Sequence, residues 1–180
     1  MSISLATMNF GDPLGVARDV NGGAGAAEVV ARLCDLATHS MLENAACIWT
    51  PEDDRFIPAA HAGLANLALD RRAADRQFGE CWLYRIAASN TIVIADVRAH
   101  RCPINAGWMA RHNFATSASI RLVAGRGVVG LLTWFSRRPA RWTPHTIEHL
   151  RSVAMAAALA IDYDRLRRCA TAEPSRTSNE

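Results

Sequence analysis

The feature that most restricts the fold lies between residues 117 and 168. "SASIRLV" and "VVGLLTWFS" are two strand-length apolar runs joined by "AGRG", whose glycines suit the reversal of an antiparallel hairpin. Close behind them, "RWTPHTIEHL" carries a helix start, with Thr143 as N-cap and Pro144 at the first helical position. Ile147, Leu150, Ala154, Ala157, Ala158 and Ile161 then recur on one face, which predicts a helix running to about Arg168.

The upstream chain supplies elements of the same kinds. "GAAEVVARLCDLATHSMLEN" places Ala26, Val29, Val30, Leu33, Leu36, Ala37 and Met41 on one helical face. "AACIWT" and "RFIPAAH", separated by the turn cluster "PEDD", predict a second hairpin. "GLANLALDRRAADRQF" returns to helical spacing through Leu64, Leu67 and Ala74. "GECWLYRIAASN" is compatible with a further short helix, and "TIVIADV" is a β-branched strand ending in an aspartate. Helices at both ends of an antiparallel sheet make an α+β sandwich. Its expected limits are a flexible segment at 1–23, one domain at 24–168 and a flexible tail at 169–180, where "TAEPSRTSNE" is polar and broken by proline.

Half of the 180 residues are hydrophobic and 21% are charged, enough for one domain with its own core. All 20 positive side chains are arginine, but the net charge of +3 is mild and acidic residues are interspersed. A nucleic-acid binder shows a denser basic face, so no nucleic-acid partner is expected. The five cysteines, at 34, 47, 81, 102 and 169, are odd in number and show no CxxC spacing, which argues against a zinc ribbon or a secreted disulfide framework. No basic n-region precedes an apolar core, and the longest apolar run, "VAMAAALAI" at 153–161, is far short of the ~20 residues of a membrane span. A soluble, cytoplasmic protein with reduced thiols and no membrane partner is expected.

Three features in order resemble the GAF domain family. "RIAASN" leads into a strand ending "ADVR", a hairpin ends "GVVGLLTWFS", and "RWTPHTIEHLRSVAMAAALAIDYDRL" is similar to the family's closing helix. The resemblance covers about residues 24 to 168. It implies a GAF-like sandwich, with the N- and C-terminal helices on one face of the sheet and a loop or short-helix lid on the other. It also implies a sensory domain whose ligand lies between the sheet and the loop after "ADVR". In this chain that loop contains "HRCPINAGWMARHNF", residues 100–114.

The candidate ligand-binding residues are Trp82, Arg85, Asp96, Arg98, Trp108, Arg111 and His112. Together they offer aromatic walls with a few polar groups, as a small-ligand pocket requires. Arginine grips carboxylate or phosphate in a bidentate way, and a helix starting near Asn105 would add N–H groups. The cofactor is not specified by the sequence. His100, Cys102 and His112 carry donor side chains for a metal, although structural zinc wants four ligands at tighter spacing. Some GAF domains hold heme through a histidine near the position of His112. A bilin would want a Cys-His pair, whereas Cys102 is followed by Pro103, and the Asn-Lys-Phe-Asp-Glu signature of cyclic-nucleotide binders is absent.

The family also contains free methionine-(R)-sulfoxide reductases, for which Cys81 and Cys102 would supply the attacking thiolate and the resolving thiol. Their further cysteine and Ser-Glu pair are replaced here by Ala106-Gly107-Trp108 and "ATSASI". No complete catalytic set is present, and the reading is a non-catalytic sensor with no catalytic residue assigned. Its partners would be an unidentified small molecule, a second copy of the chain, and a signalling kinase or transcription regulator. A ligand-free dimerisation scaffold, with the pocket filled by Trp108 and Met109, is the contrasting expectation. For the dimer, Ala154, Ala157 and Ala158 would allow close helix approach. With Leu33, Leu36 and Ile161, they face either the sheet or a second chain.

Overall fold

The computed structural model describes residues 26–38, 44–52, 55–64, 89–99, 103–125, 127–139 and 141–172. Helix α1 (Ala26–Thr38) is followed by strands β1 (Asn44–Glu52), β2 (Arg55–Ala62) and β3 (Thr91–Ile94). A 3-10 turn (Val97–Ala99) and helix α2 (Pro103–Arg111) come next, then β4 (Thr116–Ala124), β5 (Gly127–Ser136) and helix α3 (Pro144–Ala172). The strands form one five-stranded sheet in the order β2-β1-β5-β4-β3, with every neighbouring pair antiparallel. The expected α+β sandwich is therefore the architecture observed. The two helical readings between residues 63 and 90 fall almost wholly outside the described residues.

The β5 sequence does not alternate between apolar and polar because both faces of the sheet are covered. Ala46, Ile48, Ala118, Ile120, Leu122, Leu132 and Trp134 are buried in a cluster with residues of α1 and α3. Their neighbours on the same strands point the other way, and Ala45, Cys47, Trp49, Leu131 and Phe135 are buried with Val97, Trp108, Met109 and Phe114. A strand with two covered faces reads as a continuous hydrophobic run. The β4–β5 turn ends at Gly127, whose φ of 116° is a conformation that L side chains rarely adopt.

On the helix face, α1 buries Val29, Val30, Leu33 and Cys34, with Leu36 partly buried against them. Helix α3 starts as its sequence predicts. The Thr143 Oγ1 accepts from the Thr146 N–H at 3.2 Å, and the Thr143 carbonyl accepts from the Ile147 N–H at 3.0 Å. The small residues Ala154, Ala156, Ala157, Ala158 and Ala160 are nearly fully buried, so the alanine face is used by this chain's own sheet and α1. The helix continues past Arg168 to Ala172, and from Ile161 to Thr171 it is half-buried or exposed.

Candidate functional site

The second face of the sheet is closed by the turn and α2, which together form a lid. Val97 donates its N–H to the Ala115 carbonyl at 2.9 Å, pinning the turn to the entry of β4. Asp96 Oδ1 accepts the Arg98 N–H at 2.8 Å and lies 3.6 Å from Arg98 Nε. Both side chains are largely exposed, so this pair fixes the turn at the surface. Helix α2 begins at Pro103, ahead of the expected start near Asn105, because proline is pre-organised for the first helical position.

Helix α2 stops on Asn113, a non-glycine residue with positive φ, at 58°. The Phe114 N–H reaches the Met109 carbonyl at 2.9 Å and the Asn113 N–H reaches the Ala110 carbonyl at 3.1 Å. This is a Schellman stop, with Met109 and Phe114 supplying the apolar contact that accompanies it. Its effect is to turn Phe114 inward. The Trp108 ring lies 5.9 Å from Phe114 and 5.3 Å from Phe135, and Phe114 lies 4.9 Å from Phe135. Arg137 covers the Phe114 ring at 5.3 Å.

Among the candidate residues the structure brings Trp108 and His112 together, their rings 4.7 Å apart. Trp108 is 7% exposed, and its Nε1 is closed to solvent with no hydrogen-bond partner. Burial, then the neighbouring Arg111 charge, lowers the His112 pKa and favours the neutral ring. Arg111, Asp96 and Arg98 are exposed. Trp82, Arg85, Cys81, His100 and Cys102 lie outside the described residues. Among the described residues, no group of three or more His, Cys, Asp or Glu side chains is arranged to hold a metal.

The floor of the lid face holds what the sequence reading missed. Cys47, Thr133 and Ser119 pair across three strands in one rung, and Ala45, Phe135 and Ser117 form the rung beside it. Ser117, Ser119 and Thr133 are buried. The Thr133 Oγ1 accepts the Trp49 indole N–H at 3.2 Å and is 3.1 Å from the Ser119 hydroxyl, while the Ser117 hydroxyl touches the Met109 sulfur at 3.7 Å. The signal was the alternation in "TSASI": Ser117 and Ser119 share a face that Ala118 and Ile120 do not. The Cys47 thiol is pushed well up by burial, with the neighbouring Cys34 adding to it, and burial likewise raises Cys34 to about 12. Both are held as thiols, poor nucleophiles at neutral pH.

A concavity of about 380 Å³ lies on the helix face, between the start of α1 and the end of α3. Ala26, Val30, Ala59 and Ile161 form its apolar part, with Arg165 and Arg168 at the rim. An ion pair joins Arg168 to Asp164.

The GAF domain family profile matches residues 24–162. None of the curated proteins is a significant match to the sequence. Among solved structures, the chain is similar to the bacteriophytochrome RpBphP3 from the photosynthetic bacterium R. palustris, with a TM-score of 0.68 at 8% identity. That alignment covers 88% of this chain and 37% of the bacteriophytochrome, so this chain spans little more than a third of it. It is also similar to a GAF3 domain from Synechocystis sp. in its photoproduct state, with a TM-score of 0.64 at 15% identity, covering 83% of this chain and 99% of that one.

Proposed function

Because the chain belongs to the GAF domain family, we propose that it works as a regulatory sensor, binding a small ligand under the 96–114 lid and signalling through α1 and α3 to a partner protein. The observation that carries this reading is the contrast between the two faces of one sheet. The middle of the helix face is filled by Ile48, Leu132, Trp134, Ala118 and Ile120, its buried hydroxyls Thr116 and Ser136 lying at the end of the β4–β5 ladder, whereas the lid face buries Ser117, Ser119 and Thr133 at its centre. Buried hydroxyls weaken a core that only has to hold together, and they are what a site needs to orient a ligand.

A short route leads from that floor to the helices. Thr133 adjoins Trp134, which faces the helices and meets Trp142 edge-on at 5.0 Å. Trp142 donates its indole N–H to Thr116 at 2.7 Å and directly precedes Thr143, the cap of α3. Displacing the floor therefore loads the start of α3 through few side chains.

The signalling unit is a homodimer in this reading. Helix α3 exposes Met155, Leu159, Tyr163 and Leu166 at 53%, 55%, 46% and 47% on the side opposite its buried alanines. A two-fold axis would pair this stripe with its own copy. The protein acts in the cytoplasm on a signalling kinase or transcription regulator, and no described helix is long and apolar enough to cross a membrane.

Native mass spectrometry and a visible spectrum of freshly purified protein test the ligand. A bound mass lost on denaturation is expected. The reading fails if the mass is bare, no cell-extract fraction raises the melting temperature, and changes at Trp82, Arg85 and Trp108 leave partner binding intact. Light scattering tests the dimer, which Leu159→Glu should halve in mass.

A further inference from the structure

The stripe of α3 that packs on the core changes character near its end. Leu150, Ala154, Ala157 and Ala158 are buried on it, and Ile161, Arg165 and Arg168 continue the same spacing of three and four residues. Where this stripe passes the first turn of α1, it lines the concavity of about 380 Å³, a volume within the range of small-molecule sites. Packing alone was served by alanine as far as Ala160, and two guanidiniums on an inward-facing stripe add nothing to it.

The facing walls keep the space open. Ile48 pairs with Ala60 and Trp49 with Pro58, so Ala59 is the extra residue of a β-bulge, and it lines the cavity with a single methyl group. Ala26 and Ala27 bring the start of α1 to the cavity, and the residue before them, Gly25, has no side chain with which to cap the first N–H groups. The acid of that first turn, Glu28, is exposed and does not line the cavity. Asp164 does line it, but it is ion-paired with Arg168. Arg165, which is exposed, makes no ion pair with any described residue.

The spare guanidinium and the helix start disfavour a cation and favour one negative charge. A bare inorganic anion would leave the apolar wall of Val30, Ala59 and Ile161 unused. A neutral apolar molecule would desolvate Arg165 with nothing to pair its charge. A carboxylate on an apolar chain meets both demands, because guanidinium binds carboxylate in a bidentate way while the chain covers the wall.

We infer that the concavity between the start of α1 and the end of α3 is a ligand site for a small monocarboxylate with an apolar chain, its carboxylate on Arg165 and its chain on Val30, Ala59 and Ile161. The inference stands whether or not the lid holds a ligand. Cys169 lines the same cavity and is exposed, so its alkylation by iodoacetamide, read by peptide mass mapping, reports on the site in the full chain. Hexanoate, 1-hexanol and hexylammonium are probes of equal chain length, and acetate supplies the head without the chain. Hexanoate is expected to slow Cys169 alkylation at concentrations about 3- to 10-fold below those that 1-hexanol needs, with acetate and hexylammonium inactive. Arg165→Gln should cancel the margin of hexanoate over hexanol. Ala59→Trp, which fills the cavity from an exposed position, should abolish protection by both.

Equal protection by hexanoate and hexanol, or a margin that survives Arg165→Gln, would overturn the carboxylate. Acetate acting as well as hexanoate would overturn the apolar chain. Protection that persists in Ala59→Trp, or no protection by hexanoate at all, would overturn the site. The comparison of probes in the unaltered chain decides the class even if a variant fails to fold.

Discussion

Gly130→Ala is the substitution whose cost follows most directly from the geometry. Gly130 lies on β5 opposite Leu122 of β4, just beyond the point where β5 stops pairing with Trp49 of β1. A Cβ at this position would fall inside van der Waals contact of the Trp49 carbonyl oxygen and 2.9 Å from Leu122 Cδ1. The oxygen is backbone, and Leu122 is fully buried, so neither gives way cheaply. Overpacking costs about 1–3 kcal/mol and a stretched ladder hydrogen bond about 1 more. Replacing glycine restricts the unfolded chain and returns about 0.4–1 kcal/mol. The net loss is about 1.5–3 kcal/mol. With a urea slope of about 1–3 kcal/mol/M, the unfolding midpoint should fall by roughly 0.5–3 M. Gly125→Ala is the control, because nothing lies within 4 Å of its added Cβ. A Gly130→Ala midpoint equal to that of the control would refute the reasoning.

Thr143→Ala removes the α3 cap and should lower stability by about 1 kcal/mol in urea unfolding, with Thr143→Ser restoring most of it. Burial, with His145 adding to it, lowers the His149 pKa to about 4. The folded chain thus resists a proton that the unfolded chain accepts. This contribution is complete above pH ~6.5 and is lost as the pH falls towards 4, so the melting temperature should drop across that window, less so in His149→Gln. Cys34 and Cys47 should react with a thiol reagent only after denaturation, whereas the exposed Cys169 reacts at once.

The layers of the fold were legible where local chemistry and tertiary packing agree. The β4–β5 hairpin, the Thr143–Pro144 helix start and the α1 face each carry a backbone signal together with an apolar pattern. Boundaries were harder where neighbours decide them. "PEDD" reads as a turn, yet β1 runs through Pro51 to Glu52, which pairs with Arg55, because the partner strand holds the backbone extended. In the lid, Trp108 and His112 became candidates through residue type and the place the family resemblance gives this loop. Ser119, Thr133 and Phe114 were not, because their importance comes from cross-strand pairing and from the Asn113 stop. The five site candidates at 81, 82, 85, 100 and 102 fall outside the described residues.

Helix α3 has one further consequence. Its last fully buried residue is Ala160, and it continues to Ala172, about 18 Å further on at 1.5 Å per residue. A rotation of about 3° at Ala160 sweeps the far end through about 1 Å, because a helix of this kind moves as a stiff rod. The sheet is thus a fulcrum set beyond the middle of a lever, and an adjustment near Thr143, about 25 Å before the pivot, reappears in the opposite direction at Cys169, about 13 Å beyond it, at roughly half the amplitude.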